Sequence, residues 1–408
     1  MYQPLGAPTS ASAPSDKLLT PPFVLMLCVQ FCFGLSYSSF FLLPKFLARE
    51  LHADASVIGV VAATALIAGV LATPWLGSAL DRGRRAPFMT GGALVNAISG
   101  AAFAFVHSVS WPIFALRAVH GVSYALVFNA TVTLATDLAP PKKLGQAIGL
   151  CGAAGMVANA IAPALAEWIA DHRGWGLVFW LAGGAALLAS LLALFIREPR
   201  DAELRHAAHA AMTQHVAVAP AENALVLIRD SGRWGAFICG AANGAAFGVM
   251  FTFTQPFALS LGASQVSSFF VGYTLCALAV RLFLGTLADT WGRQRVACAA
   301  LLLYGLVAAL ASLLRPNLLF AIGAGLGLAH GLLYPALNAL AIEGVSRARR
   351  GAVMSYFFGC FNAGFALWVT GLGLVAKSQG YPLVFLATGV LVGTAALFLP
   401  KKAQRLVA

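Results

Sequence analysis

The sequence predicts an all-α membrane protein with twelve transmembrane helices in two pseudo-symmetric six-helix bundles. Three observations carry this prediction: the composition, the spacing of the apolar runs and an internal repeat. Of the 408 residues, 60% are apolar and 10% are charged, and the mean hydropathy is +0.83. Soluble domains carry about 25% charged residues. The composition therefore excludes a soluble enzyme, a disordered protein and, despite the net charge of +12, a nucleic-acid-binding protein.

Apolar runs of spanning length give the twelve predicted helices. A transmembrane helix needs about 20 predominantly apolar residues, and polar or charged clusters mark where each run ends. The predicted spans are 22–47, 56–80, 87–107, 111–136, 145–170, 175–197, 233–260, 265–288, 294–314, 317–342, 351–376 and 380–400.

One long hydrophilic stretch divides these spans into two sets of six. The predicted organisation is a disordered cytoplasmic tail over 1–21, an N-terminal bundle over 22–197, a cytoplasmic central loop over 198–232, a C-terminal bundle over 233–400 and a cytoplasmic tail over 401–408. No short apolar region with a small-residue cleavage site precedes the first span, so we expect that span to be retained. The seven cysteines lie in apolar runs without a CxxC motif, which predicts small buried side chains rather than disulfides.

The basic residues set the predicted orientation. With the amino terminus in the cytoplasm, 19 of the 26 Lys and Arg residues lie on the inner side and five on the outer side. The five are Lys45, Arg49, Arg173, Arg315 and Lys377. Basic segments resist translocation, so we expect a multi-pass protein of the plasma (inner) membrane with both termini in the cytoplasm.

A loop motif occurs once in each half. Gly77 and Asp81 follow the second span, and Gly285 and Asp289 follow the eighth span at an offset of 208 residues. Because six spans return the chain to the same side of the membrane, such a repeat relates the halves by an axis along the membrane normal.

A second motif repeats at nearly the same offset. His120-Gly121-x-x-Tyr124 in span 4 recurs as His330-Gly331-x-x-Tyr334 in span 10, 210 residues later. Two independent matches at almost one offset predict an internal duplication, with a binding site between the halves near the midplane.

These motifs resemble a known family. The pattern G-x-L-A-D-x-x-G-R-x-R at 285–295 resembles the signature loop of the major facilitator superfamily, and the copy at 77–85 is one residue shorter. Arg117-x-x-x-Gly121 is similar to a second signature of that superfamily, with His120 where Gln is usual. The resemblance covers about residues 22–400 and implies a carrier that works by alternating access.

The resemblance also implies a role for the loop motif. In the family this cluster acts as a latch that stabilises the outward-facing state at the cytoplasmic end. The alternative is an ordinary set of basic anchors on the inner side. The residues of the expected latch are Gly77, Asp81, Arg82, Arg85, Gly285, Asp289, Gly292 and Arg293.

Two arginines lie inside predicted spans, where a charge is costly and normally faces a partner or a wet cavity. Arg117 is a candidate to accept an anionic substrate or to modulate a proton site, and the resembled motif associates it with proton coupling. Its alternative role is a strut between spans 1, 4 and 5, and Glu167 is its candidate carboxylate partner.

Arg281 lies in a segment similar to span 8 of monocarboxylate transporters, where an arginine helps to bind the carboxylate. The family's aspartate one turn earlier is Ala277 here. A snorkelling latch residue is the alternative for Arg281.

Several uncharged residues complete the predicted pathway. His120 and His330 recur at midspan and titrate near neutral pH, so they are candidate proton carriers, with neutral packing as the alternative. In the resembled fold, spans 1, 4, 7 and 10 line the path. This favours Tyr37, Tyr124, Asn243 and Tyr334 as lining residues.

The predicted function is secondary transport of a small organic molecule. No Walker A pattern is present, so ATP is not the expected energy source, and no cofactor or metal is expected. Proton-coupled efflux by antiport is the first prediction, and proton-coupled uptake of an organic anion such as a monocarboxylate is the alternative. A receptor or a membrane enzyme is a remote alternative, since no H-E-x-x-H motif or sizeable extramembrane domain is present. The expected partners are the substrate, protons and the lipid bilayer, and the expected state is a monomer.

Overall fold

The computed structural model describes residues 18–140, 143–198, 234–285, 287–343, 345 and 350–399. Within these ranges the regular secondary structure is helical throughout. The α-helices, in chain order, are α1 (Pro21–Ser39), α2 (Leu43–Arg49), α3 (Ala55–Arg82), α4 (Arg85–Ala102), α5 (Trp111–Leu138), α6 (Leu144–Arg173), α7 (Trp175–Ala193), α8 (Trp234–Ser260), α9 (Ser267–Phe283), α10 (Leu287–Trp291), α11 (Arg293–Leu310), α12 (Leu319–Ile342), α13 (Arg350–Gln379) and α14 (Tyr381–Ala395).

These helices correspond to the predicted spans. α1 continues through a 3-10 turn into α2, so Pro21–Arg49 forms one span of 29 residues. In the described part of the chain, eleven segments are long and apolar enough to cross a membrane, and α9 is a shorter apolar helix of 17 residues. α9 ends well before the predicted limit of span 8, because the chain turns at Leu284 and Gly285 before the short α10. The predicted central loop and both tails fall largely outside the described residues.

The two halves repeat the same pattern of helix contacts. In the first half α1 packs on α6 and α7, α5 packs on α3 and α4, and α4 packs on α7. In the second half α8 packs on α13 and α14, α12 packs on α9 and α11, and α11 packs on α14. Across the halves, α3 packs on α13 and α6 on α9. The sequence repeat is therefore a repeat of tertiary structure.

The repeated His-Gly pair lies where two helices cross. A Cβ atom on Gly121 would lie 1.8 Å from the Ala65 carbonyl oxygen, so only glycine allows α5 to approach α3 this closely. A Cβ atom on Gly331 would lie 3.1 Å from the Val280 side chain, at the matching crossing of α12 and α9. The repeated His-Gly pair thus places each histidine next to a glycine at a close helix crossing.

The two ends of the bundle carry different connections. The motif end carries the turn at 83–84 and the short helix α10, and the opposite end carries the loops at 50–54, 106–110 and 261–266. One apolar core runs through the second half and continues into the first half at the opposite end, where it includes Phe46 and Phe179. A separate core, which includes Phe23 and Met89, fills the motif end of the first half. The halves therefore share a core only at the opposite end.

Candidate functional site

A buried ion pair joins the two halves at the opposite end. Lys45 in α2 and Glu167 in α6 are 0% and 1% exposed, and 2.5 Å separates Lys45 Nζ from Glu167 Oε1. Lys45 Nζ also donates to the Ser264 carbonyl oxygen at 3.1 Å. Glu167 accepts hydrogen bonds from the backbone N–H groups of Val266 and Ser267, each at 2.7 Å. A carboxylate of the first half thus caps the N-terminus of α9 in the second half, where the helix dipole favours an anion.

This arrangement corrects two expectations. Glu167 was the candidate partner of Arg117, but its carboxylate is occupied by Lys45 and by the start of α9. Lys45 was counted among the residues of the outer loops, but it is fully buried. The reason is the same in both cases. A charge inside an apolar environment requires a nearby opposite charge and hydrogen bonds, and these two side chains satisfy each other.

Two more contacts cross between the halves at this end. The Lys377 ammonium lies 2.8 Å from Asp54 Oδ2, and Gln255 Nε2 donates to the Phe41 carbonyl oxygen at 2.7 Å. Asp54 is also the N-cap of α3 and accepts from the backbone N–H groups of Ser56 and Val57. The bonded Lys377 ammonium, with help from these donors, holds the pKa of the Asp54 carboxyl well below its usual range.

Aromatic rings close the space beneath the ion pair. Phe41 stacks on Phe270 with 5.9 Å between ring centroids and meets Phe251 edge-on at 5.6 Å. Phe251 is 8% exposed and Phe270 is 1% exposed. The opposite end is thus closed by an apolar plug as well as by charges.

Towards the motif end, the first half presents a ladder of stacked rings. Tyr37 and Tyr124 stack at 4.1 Å, and Tyr124 also stacks on Phe33 at 6.3 Å and on Phe128 at 5.7 Å. Phe128, the rung nearest the motif end, is 44% exposed. Tyr37 and Tyr124 are half-buried and Phe33 is 2% exposed, so the ladder is exposed only at its Phe128 end.

The second half presents a matching aromatic wall. His330 stacks on Tyr334 at 5.4 Å and lies 5.0 Å from Phe247. His330 Nδ1 is 3.2 Å from the Asn243 side-chain oxygen. Predicted residues of both halves thus form two facing aromatic walls, with the fully buried Asn243 behind His330, and we call the space between these walls the central cavity.

Arg117 and His120 lie inside the first half, behind the ladder. Arg117 is 8% exposed and within electrostatic range of Tyr37 and His120. His120 is fully buried between Phe40, at 4.2 Å, and Tyr37, at 5.3 Å. Among the described residues, Nε and Nη1 of Arg117 and both ring nitrogens of His120 have no hydrogen-bond partner.

Arg281 occupies a different setting. It is exposed near the motif end of α9, in the gap between the halves, and within electrostatic range of Tyr273, His330 and Tyr334. A Cβ atom on Gly152, in α6 of the first half, would lie 3.5 Å from Arg281 Nη1. Arg281 therefore extends across the mouth of the cavity.

The expected latch is described only in part. Arg85 is buried, donates to the Gly83 carbonyl oxygen at 2.7 Å, and lies 3.9 Å from the Asp137 carboxylate. Gly285 and Arg293 lie in the second copy, where Gly292 takes a φ of +92° at the start of α11. Four expected latch positions have side chains outside the described set: Gly77, Asp81, Arg82 and Asp289.

The sequence reasoning missed the Lys45 site and the Phe41 plug. One signal was available for Lys45, since it interrupts the apolar run FFLLPKFLA. A lysine in such a run needs a buried partner or a route to the interface. The aromatic plug carried no comparable signal, because phenylalanine is common throughout the spans.

Comparison with known proteins identifies similar chains. A sequence profile of the Major Facilitator Superfamily matches residues 26–278 and 236–406. The multi-drug resistance efflux pump PmrA of Streptococcus pneumoniae is 26% identical over 353 residues, which cover 83% of this chain and 84% of PmrA. The multidrug resistance protein MdtG of Enterobacter lignolyticus is 26% identical over 342 residues, which cover 82% of this chain and 79% of MdtG.

Solved structures share the fold at low sequence identity. The nucleoside transporter NupG superposes with a TM-score of 0.76 at 16% identity, covering 92% of this chain and 98% of NupG. A peptide transporter of the POT type, crystallised with alafosfalin, superposes with a TM-score of 0.71 at 15% identity, covering 92% of each chain. At these identities the likeness concerns the fold.

Proposed function

The chain belongs to the major facilitator superfamily, and from that membership we propose that it exports a small organic molecule in exchange for protons by alternating access. It is a multi-pass membrane transporter and not an enzyme.

One observation carries the proposal: the two pseudo-symmetric halves are joined by buried charges and a shared apolar core at the opposite end, while the motif end of the first half has a core of its own. The opposite end is closed by the Lys45–Glu167 pair and the Phe41 plug, while Phe128 and Arg281 are exposed towards the motif end. The excess of basic residues at the motif end supports a cytoplasmic position for that end. The structure then corresponds to an inward-open state that is ready to receive a molecule from the cell.

Export is supported by the chemistry of the cavity and by the relatives. Aromatic rings line the cavity, and stacked rings bind flat apolar molecules without demanding one shape. PmrA and MdtG, at 26% identity, are named as multidrug efflux and resistance proteins. Both features favour a substrate that is removed from the cell.

Proton exchange requires a group that changes protonation between the two states. His120 and His330 are our candidates, because each lies beside an arginine and the cavity wall.

Everted membrane vesicles test the direction and the coupling together. Their outer surface is the cytoplasmic face, so an exporter accumulates a bound compound in an acidified lumen. We expect accumulation that stops when nigericin collapses the pH gradient, and no accumulation in vesicles without the protein. Gradient-independent flux, or no flux of any compound that binds, would contradict the proposal.

Uptake of an organic anion is the second candidate, and the exposure of Arg281 in the cavity favours it. A proton symporter of this kind accumulates its substrate in right-side-out vesicles with an acidic exterior. Accumulation of the substrate in right-side-out vesicles, with none in everted vesicles that have an acidic lumen, would support uptake and contradict export.

A further inference from the structure

A cavity separate from the central cavity lies at the opposite end of the first half. Its volume is about 490 Å³. It is lined by the end of α2, by the 3-10 turn Phe103–Phe105 with the loop that follows it, and by the junction of α6 with α7. The residues that line it belong to the first half. We call this cavity the α7 pocket.

The floor of the α7 pocket is a packed aromatic cluster. Phe46 of α2 meets Phe179 of α7 edge-on, with 5.0 Å between ring centroids, and its ring lies 5.3 Å from the ring of Trp175. The Phe103 ring lies 5.6 Å from that of Phe179. Each of the four rings is at most 9% exposed. Close packing fixes such rings in place, so the floor is apolar and keeps its shape without a ligand.

A carboxylate forms part of the wall. Glu50, the residue after α2, is exposed, and its Oε1 accepts a hydrogen bond from Trp175 Nε1 at 3.1 Å. This bond holds the carboxylate beside the aromatic floor. Glu167 and Asp171 at the same end each contact a lysine. Among the described residues no lysine or arginine pairs with Glu50, so its charge is available to a cation.

The N-terminus of α7 lies at the same pocket. Gly174, Trp175 and Gly176 line the pocket at the N-cap and the first two positions of α7. Gly174 takes a φ of +87° and provides no side-chain cap. The free N–H groups of a helix start, together with the helix dipole, favour an anionic group such as a phosphate. The α7 pocket thus combines a position for a cation with a position for a phosphate.

The α7 pocket lies at the level of lipid headgroups. Phe105, Trp111 and Trp180 at the same end are 68%, 77% and 52% exposed, and aromatic side chains of this kind mark the membrane interface. Trp180 and Gly184 follow Gly176 at intervals of four residues, so the three share one face of α7. A Cβ atom on Gly176 or Gly184 would meet no atom within 4 Å. An acyl chain can therefore lie along this face and continue from a headgroup in the pocket.

We propose that the α7 pocket binds a zwitterionic phosphate–ammonium group, as carried by an ethanolamine phospholipid. The ammonium lies against the Glu50 carboxylate, the phosphate lies at the start of α7, and the carbons between them lie over Trp175. Charge-assisted hydrogen bonds form at both ends of such a group. A headgroup with a phosphate and no ammonium gains one of them and is repelled by Glu50. The site is independent of the transported substrate and of the direction of transport.

Occupation of the pocket stabilises the two helices that carry the buried ion pair. Lys45 precedes Phe46 in α2, and Glu167 lies one turn before Ala170 in α6. Phe46 and Ala170 line the pocket, so a bound headgroup contacts both helices. A ligand that binds the folded protein and not the unfolded chain raises the free energy of unfolding by mass action. Binding should therefore raise the melting temperature.

Short-chain lipids test the proposal on the purified full-length protein in detergent. We would titrate dihexanoyl-phosphatidylethanolamine and dihexanoyl-phosphatidylglycerol, and measure the melting temperature and the number of bound lipids by native mass spectrometry. We expect the ethanolamine lipid to raise the melting temperature. It should bind at least about tenfold more tightly than the glycerol lipid, as one charge-assisted interaction predicts.

Two variants locate the site. Glu50→Gln keeps an acceptor for Trp175 but removes the charge, so it should abolish the preference for the ethanolamine lipid. Gly176→Leu should fill the pocket and weaken the binding of that lipid. Glu343→Gln is the matched control for charge, since Glu343 is exposed after α12 at the motif end. Gly371→Leu in α13 is the control for added bulk, since its Cβ atom would also meet no atom within 4 Å. Both controls should keep the preference.

Free O-phosphoethanolamine distinguishes a lipid from a soluble ligand. Binding of the lipid without binding of the free compound assigns the site to a membrane lipid, and Glu50-dependent binding of both assigns it to the headgroup alone. Either result supports the site. The proposal is overturned if the glycerol lipid binds as tightly as the ethanolamine lipid, or if a folded Glu50→Gln variant keeps the preference unchanged.

Discussion

At the residue scale, the Lys45–Glu167 pair is the most consequential contact in the structure. Both side chains are buried, and their partners lie in the two halves. A buried ion pair adds little net stability over apolar residues, but the loss of one partner leaves an uncompensated buried charge. Such a pair is therefore suited to holding one conformation and to making that conformation sensitive to a single change.

We predict that Glu167→Gln opens the opposite end. The substitution leaves the Lys45 ammonium without its counter-charge, which should destabilise the sealed state by about 3–5 kcal/mol. Spin labels at Ser110 and Arg315, both exposed in loops of the opposite end, report the separation of the halves. We expect a new, longer distance in the variant by double electron–electron resonance.

The control for this variant is Asp171→Asn. Asp171 contacts the same lysine at 3.5 Å, but it is 20% exposed and also lies 3.2 Å from Arg49. The Asp171→Asn variant should shift the distance distribution far less than the Glu167→Gln variant does. Equal effects of the two variants would argue against a specific role of the buried carboxylate.

The Asp54–Lys377 contact gives a prediction about pH. The hydrogen bond from the Lys377 ammonium is the main cause that lowers the pKa of Asp54 in the folded state, and the donors at Ser56 and Val57 lower it further. The contribution of this contact to the free energy of unfolding is fully present above the ordinary Asp pKa of about 3.9. It is lost only as the pH falls through the lower pKa of the folded state. Between pH 8 and 5 we therefore expect no Asp54-dependent opening in the same distance measurement. In Lys377→Met, the Asp54 carboxyl should titrate closer to its ordinary pKa.

At the scale of elements, α9 depends on the other half of the molecule. Its N-cap, Val266, offers no side-chain cap, and the free N–H groups at its start bond to Glu167 in α6. The unpaired N–H groups of a helix end require a partner. When the halves separate at the opposite end, α9 must exchange Glu167 for water, so this helix end has different partners in the two states.

Glycine positions at helix crossings give a second prediction at this scale. Gly121→Ala places a methyl group 1.8 Å from the Ala65 carbonyl oxygen, so α5 and α3 must separate. We expect a lower melting temperature and reduced yield of folded protein. Gly331→Ala should be milder, since its nearest neighbour is the Val280 side chain at 3.1 Å.

The matched control is Gly184→Ala in α7. No atom lies within 4 Å of the added methyl group, and replacing a glycine inside a helix stabilises it by roughly 0.5–1 kcal/mol. If Gly121→Ala melted at the same temperature as Gly184→Ala, the close packing of α5 on α3 would not be required for the fold.

At the scale of the whole molecule, the distribution of the apolar core matches the alternating-access proposal. The core of the second half continues into the first half only at the opposite end, and a separate core fills the motif end. Rocking of one half against the other would break the core that the halves share at the opposite end, while each half keeps its internal packing. Such rigid-body motion around a midplane site is the expected behaviour of paired repeats.

The motif end supplies the last prediction. We expect Asp289→Asn to keep normal expression and to reduce transport in the vesicle assay, because a latch is needed only in the state that closes the cytoplasmic end. Its side chain lies outside the described residues, and the prediction rests on the repeated motif. Undiminished transport would indicate that the loop anchors the helices without latching them.

The membrane class, the helical spans and the internal repeat could be predicted from the amino-acid sequence. Hydropathy and the spacing of charges are local properties of the chain, so they predict where a helix spans and which face of the membrane a loop prefers. The offsets of 208 and 210 residues predicted the duplication that the contacts of α5 with α3 and of α12 with α9 display.

Which charges meet, and at which end the halves are joined, depends on the packing of the helices. Glu167 bonds to Lys45 122 positions earlier and to Val266 99 positions later, and no local pattern identifies such partners. Both Arg117 and Arg281 lie within predicted apolar spans, yet packing buries Arg117 behind Tyr37 and leaves Arg281 exposed. The physical reason is that desolvation and charge pairing depend on the surrounding helices, which only the folded arrangement of both halves brings together.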